Sequence, residues 1–210
     1  MAIPLVKFGK NYISRLILGG NPIGGFSHIS EFKDKEMQDY NTTANIKLTF
    51  DECIKNGIIT FQARADRHIM RILNEYKNEG KNIQWIAQNA SEMSDLKANL
   101  GQIVSNGAIA AFYHGTQTDN LWHTGMSGIE KVKDDLKRIR DTGLYTGLGT
   151  HRPEVIDYAE SHGWDIDFYM ASFYNLAKKP KHAQAISGFK EEHFDDEDAE
   201  LMLKMVRQTS

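Results

Sequence analysis

Two rhythms alternate along the chain. Short apolar runs occupy 15–19, 58–62, 83–88, 108–114, 144–151 and 164–173. They carry many β-branched and aromatic residues, as expected of strands buried on both faces. Gly57, Gly80, Gly107, Gly143 and Gly163 stand before the last five runs. A glycine there is the usual stop of a preceding helix, because it takes a left-handed backbone without steric cost. Between the runs, apolar positions recur three and four apart. Residues 44–56 align Ile46, Phe50, Cys53 and Ile54, and residues 67–79 align Ile69, Met70, Ile72, Leu73 and Tyr76. Ser127-Gly-Ile-Glu130 reads as a capping box opening a helix to Arg140, with Ile129, Val132, Leu136 and Ile139 inward. Pro153 suits the first turn of the next helix, before Val155, Ile156 and Ala159, and 195–208 is the last periodic stretch.

Strict strand–helix alternation predicts an α/β fold with a parallel sheet and right-handed crossovers. The strand ends decide between a barrel and an open sheet. Asn21, Gln62 with Arg64, Gln88 with Asn89, His114, Thr150 with His151, and Tyr174 with Asn175 follow the six runs. Polar residues gathered from every strand end are the mark of a barrel mouth, whereas an open sheet collects them at one switch point. The expectation is a parallel (β/α) TIM-type barrel, one domain over 1–210, with about six of eight βα units, since eight need roughly 250 residues. A sheet of six strands has two open edges, so self-association is expected. Segments 22–43 and 176–194 read as insertions, the second bearing Lys178, Lys179, Lys181 and His182.

Composition narrows the partners. With 25 Lys+Arg against 28 Asp+Glu, the net charge is −3, which argues against nucleic acid. A lone cysteine, Cys53, excludes a disulfide framework. No apolar run approaches the ~20 residues of a membrane helix. The N-terminal run is too short for a signal peptide, so a cytoplasmic protein is expected. No Gly-x-Gly-x-x-Gly opens a helix, which leaves a Rossmann nucleotide site without support.

The mouth supplies the candidate chemistry. His114 and His151 are the titratable groups best suited to acid–base work. Asp66, before a helix, is a catalytic candidate and also a natural N-cap. His68, His114 and His151 together offer imidazoles for a divalent metal, although no helical His-x-x-x-His spacing supports one. Arg64 has the fork to hold a carboxylate or phosphate. Trp122, beside His123 in what reads as a loop, can stack on a sugar face or serve as an apolar lid. Asn21, Gln62, Gln88, Tyr174 and Asn175 complete a polar lining suited to a small hydroxyl-rich substrate. The acidic run 191–198 reads as a solvated helix start.

Five segments, 18–24, 56–61, 112–115, 147–156 and 173–176, resemble in order and spacing the aldo/keto reductase superfamily. The resemblance implies an eight-unit barrel binding a nicotinamide, NADP(H), across its top. It implies a catalytic role for His114. Gln62, Arg67 and Gln88 stand where the family has its Asp, Tyr and Lys. Gly149-Thr150 stands at the cofactor-binding Ser-Asn, making Thr150 the implied cofactor contact, and Ala171 replaces a Gln. The leading expectation is therefore a reductase-like enzyme acting on a carbohydrate-like carbonyl or polyol. Its rivals are a non-redox lyase or isomerase using His114 and His151, and a non-catalytic binding protein on the same fold.

Overall fold

A computed structural model describes residues 3–175 and 195–209. Its elements in chain order are β1 (Leu5–Phe8), β2 (Asn11–Ser14), β3 (Leu18–Gly19), α1 (Asn21–Gly24), α2 (Glu31–Tyr40), α3 (Thr43–Lys55), β4 (Thr60–Arg64), α4 (Arg67–Asn78), β5 (Gln84–Gln88), α5 (Leu96–Ser105), β6 (Ala110–Tyr113), α6 (Gly115–Trp122), α7 (Met126–Arg140), β7 (Tyr145–Thr150), α8 (Pro153–Ser161), β8 (Phe168–Ala171) and α9 (Asp196–Val206). Strands β3 to β8 form one six-stranded parallel sheet in sequence order, curled into a half-barrel with helices outside. The expected α/β TIM-like architecture is present. β3 and β8 are the two sheet edges and do not pair with each other.

Strand alternation sorts side chains between two cores. Phe61, Ala63, Trp85, Ala87, Ala111, Tyr113 and Leu148 meet the apolar faces of α3, α4, α5, α7 and α8. The 3.6-residue period placed those faces well: Ile46, Phe50, Ile69, Ile72, Tyr76, Val132, Leu136, Ile139, Val155 and Ile156 are all buried. The five helix-ending glycines all have φ between +60° and +85°. On the concave side, Ile86, Ala110 and Phe112 pack with Tyr145, Phe168 and Met170 against Val6, Phe8 and Ile13.

The hairpin β1–β2 that supplies Val6, Phe8 and Ile13 was not predicted. The first strand of the pattern, 15–19, is reduced to two residues, and the hairpin ahead of it plugs the concave face. Phe8 meets Phe168 edge-on at 5.2 Å. Ser14 ties the hairpin to β4, its N–H donating to Thr60 Oγ1 and its Oγ accepting from Ile59 N.

Three further differences are physical in origin. The insertion 22–43 contains α2, which buries none of its side chains, so no apolar stripe announced it. α5 fills the interval between β5 and β6, where buried Asn99 interrupts the apolar period. The stretch read as a loop around Trp122 is α6, and α7 begins at Met126 with Gly125 as N-cap, so Ser127-Glu130 forms no capping box. The segment 176–194, read as an insertion with Lys178, Lys179, Lys181 and His182, lies outside the described residues, as does the start of the acidic run. The rest of that run opens α9, capped by Asp195.

Gly147 is a point of close approach in the concave packing. A Cβ there would lie 2.4 Å from Phe168 Cζ and 2.7 Å from Phe112 Cβ. Gly147→Val is expected to lower stability by about 1–3 kcal/mol, read as a shifted urea midpoint with an unchanged slope. A wild-type midpoint would mean that Phe168 does not fill the half-barrel.

Candidate functional site at the strand ends

Buried asparagines hold the rim. Asn99 donates from Nδ2 to Ala65 O (2.9 Å) and accepts at Oδ1 from Ala90 N (2.9 Å), joining the loops after β4 and β5. Asn89 accepts at Oδ1 from His114 N (2.7 Å) and donates to Gln117 Oε1 (2.9 Å). Backbone groups at a strand end lack ladder partners, and buried amides satisfy them without adding charge. This fixes where His114 leaves β6.

His114 is the N-cap of α6. Its Nδ1 accepts from Thr116 N at 3.1 Å. A backbone N–H can only donate, so the ring proton of neutral His114 sits on Nε2. Burial, the Arg64 charge and His151 hold its pKa below the ordinary histidine value, with Glu92 and Asp119 opposing. At neutral pH His114 is therefore an uncharged donor.

His151 carries the opposite assignment. Its Nδ1 lies 2.7 Å from Oδ2 of Asp119, a carboxylate only 1% exposed. Asp119 also accepts from Thr150 Oγ1 (2.6 Å) and from His151 N (3.2 Å). Both carboxylate oxygens already accept hydrogen bonds, so Nδ1 of His151 donates and Nε2 keeps its lone pair. The two histidines are close: a Cβ on Gly115, next to His114, would lie 3.3 Å from His151 Cε1.

Asp119 was missed. It lies within Gly-Thr-Gln-Thr-Asp-Asn, a polar stretch with no apolar period to mark a helix, and only the fold brings it under His151. The other predicted residues divide. Gln62, Arg64 and Gln88 alternate with core residues on the concave side of β4 and β5, half-buried. Asp66 caps α4, accepting from Ile69 N at 2.9 Å, and pairs with Arg64. Asn175 lines a cavity of about 220 Å³ with His151, Arg152 and Asp198, and Tyr174 is half-buried beside it. Asn21 is exposed and bonds His28 Nε2 at 2.9 Å. Trp122 is not on an open loop: it packs edge-on to Tyr158 at 5.3 Å, against the main core. Thr150, implied to touch a cofactor, is 1% exposed. Its hydroxyl donates to Asp119 and accepts from Arg152 N. Among the described residues no three His, Cys, Asp or Glu side chains are placed to hold a metal, so His68, His114 and His151 form no such trio. No described helix is long and apolar enough to cross a membrane.

Comparison with known proteins confirms the fold and removes the reductase assignment. A putative deoxyribose-phosphate aldolase from Coccidioides immitis superposes with a TM-score of 0.50 at 12% identity. The match covers 80% of this chain and 64% of the aldolase chain, so the protein spans less than two thirds of that neighbour. The carboxyl transferase domain of Rhizobium etli pyruvate carboxylase matches at 16% identity with a TM-score of 0.47, over 91% of this chain and 34% of that one. No family model and no curated protein matches the chain. The superposed aldolase is not an aldo/keto reductase, and no model of that family matches, so the expected membership is overturned. The glycines and polar strand ends behind the resemblance are common property of parallel (β/α) mouths.

The lowered pKa of His114 has a sign that stability can test. As pH falls through about 6.5 the unfolded chain takes up this proton before the folded one does. The contribution is complete above that pH and is lost below it, toward the lower folded value. His114→Gln, which keeps an acceptor for Thr116 N, is expected to lose less stability than wild type between pH 7.5 and 5.5 in denaturant titrations. Equal losses would place the ring in ordinary solvent.

Proposed function

We propose that the protein is a non-redox lyase or isomerase that forms an enolate from a small, hydroxyl-bearing carbonyl compound. The observation that carries this reading is the complementary pair of tautomers: His114 offers Nε2–H, and His151, backed by Asp119, offers a basic Nε2. In isomerisation, His151 Nε2 takes the proton from the carbon beside the carbonyl, and those electrons move to the carbonyl oxygen. In retro-aldol cleavage it takes the proton of the β-hydroxyl, the C–C bond breaks, and the electrons reach the same oxygen. Either way an oxyanion develops, and a fixed neutral donor such as His114 stabilises it without a change of charge. Asp119 holds the tautomer of His151 and stabilises the imidazolium that forms.

The polar concave residues Gln62 and Gln88 suit hydroxyl groups and cannot ionise, which leaves the proton chemistry to the histidines. Strands β3 to β8 contain no lysine, so an imine mechanism has no nucleophile among these strand residues. One protein of similar fold bears an aldolase name. Fold alone does not carry activity, and the weight of the proposal rests on the histidines.

The experiment is deuterium wash-in at the carbon next to the carbonyl. It is followed by proton NMR in D₂O with short hydroxyketones and hydroxyaldehydes, free and phosphorylated. Wild type is expected to catalyse exchange, His151→Gln to abolish it, and Asp119→Asn to slow it by roughly 10²- to 10⁴-fold. His114→Gln is expected to reduce kcat by roughly 10²- to 10³-fold, the usual cost of one oxyanion donor. Absence of exchange across the panel, or exchange unchanged in His151→Gln, refutes the reading.

A further inference from the structure

Arg64 ends β4, one strand across the rim from the β6 end that carries His114, with donors that nothing in the proposed chemistry uses. Its Nε lies 3.2 Å from Asp66 Oδ2 and 3.5 Å from Glu92 Oε1. Its guanidinium carbon sits 4.7 Å from the centroid of the Phe26 ring. The two terminal Nη groups have no partner among the described residues. Thus one edge of the guanidinium is clamped, one face is stacked, and the forked end is free. The side chain is 28% exposed, which keeps that end reachable.

The free end belongs to a cleft of about 620 Å³, lined also by Ile23, Gln38, Asn41, Arg67 and His68. Arg67 and His68 stand exposed on the first turn of α4 with no partner among the described residues. The two acids lining the cleft, Asp66 and Glu92, are both held by Arg64 Nε, and Asp66 also caps α4. The insertion closes the far wall. α2, with no buried side chain of its own, brings Gln38 across Gly25, where a Cβ would lie 2.5 Å from Gln38 Cγ.

Resting on the enolate reading of the neighbouring histidines, we propose that Arg64 is the substrate's anion clamp. Its forked end takes a carboxylate or phosphate in this cleft, and the reaction is confined to acidic substrates. An arginine whose edge and face are already fixed loses little further freedom on binding, and two parallel N–H···O bonds suit either anion. Arg67 adds charge around the same position, and His68 a ring nitrogen. Arg64 is in register with Gln88, and Gln88 with Phe112, two residues before His114, so the anion end and the reacting carbonyl are assigned to one molecule spanning neighbouring strand ends.

The test is calorimetric titration of wild-type protein, in phosphate-free buffer, with glycerol 3-phosphate, glycerate and glycerol. The two anions are expected to bind at least tenfold more tightly than glycerol, and the tighter of them identifies the group. Arg64→Gln and Arg64→Lys are each expected to weaken anion binding roughly 10- to 100-fold. The lysine keeps the charge but loses the fork. Phe26→Leu is expected to weaken it several-fold by freeing the stacked face. Should Arg64→Gln fail to fold by circular dichroism, the other two variants decide. Equal binding of glycerol, no binding of either anion, or undiminished affinity in Arg64→Lys overturns the proposal. Anion binding without deuterium exchange would instead fell the enolate reading alone, and exchange without anion preference would fell only the clamp.

Discussion

A parallel sheet curled through six strands has a concave face that helices cannot reach, and that face must be filled. Here the filling comes from two sources at the strands' lower and middle levels. The β1–β2 hairpin inserts Val6, Phe8 and Ile13, and Phe168 folds inward over Gly147. Apolar burial at ~25 cal/mol per Å² is the dominant gain, and it is restricted to those levels. Above them the alternation that puts Ile86 and Phe112 inward also puts Arg64, Gln88 and His114 inward. There the hairpin no longer covers them. A polar mouth is thus the continuation of the core by one more turn of the pleat.

Asp119 joins this architecture to the proposed chemistry. A carboxylate with almost no solvent contact is tolerated only when hydrogen bonds replace its hydration. Asp119 obtains three: from the hydroxyl of Thr150, the backbone N–H of His151 and the ring of His151. All three groups belong to Thr150 and His151 at the end of β7 and the acceptor rides on α6, so the contact that seats α6 against the sheet also sets the ring proton of His151. Loss of the carboxylate would strand donors at the rim as well as release the imidazole.

Much of the fold was legible because its signals are local. The apolar faces of α3, α4, α7 and α8 repeat at the helical period, and each ends in a glycine that the backbone requires to be left-handed. What escaped was non-local or polar. The hairpin earns its place only through the concave face of strands up to 160 residues away. α6 and α2 lack the apolar stripe that reveals a helix. Asp119 carries no signal until α6 lies beside β7. The family resemblance failed for a related reason. Gly147 and Gly149 answer to the close approach of Phe168 and of Tyr113 O, 2.7 Å from a Cβ built on Gly149. Such glycines report tight strand packing, and packing is shared by folds of many activities.

The electrostatics of the rim are consistent with its hydrogen bonds. The base of the proposed reaction is best served by a carboxylate behind it, and His151 has one. An oxyanion donor is useful when it stays neutral yet keeps its proton, and His114 has a backbone N–H on Nδ1, burial and the Arg64 charge to keep it so. Were the two environments exchanged, His114 would carry its proton on Nδ1 and cease to donate from Nε2, and His151 would lose its basic tautomer. The asymmetry arises from two unrelated local facts, a helix N-cap at one ring and a buried carboxylate at the other. Neither fact is needed to close a strand end, since Asn89 already holds the backbone of His114 and Arg152 N reaches the hydroxyl of Thr150. The opposite tautomers of the two rings are what the proposed acid–base chemistry rests on.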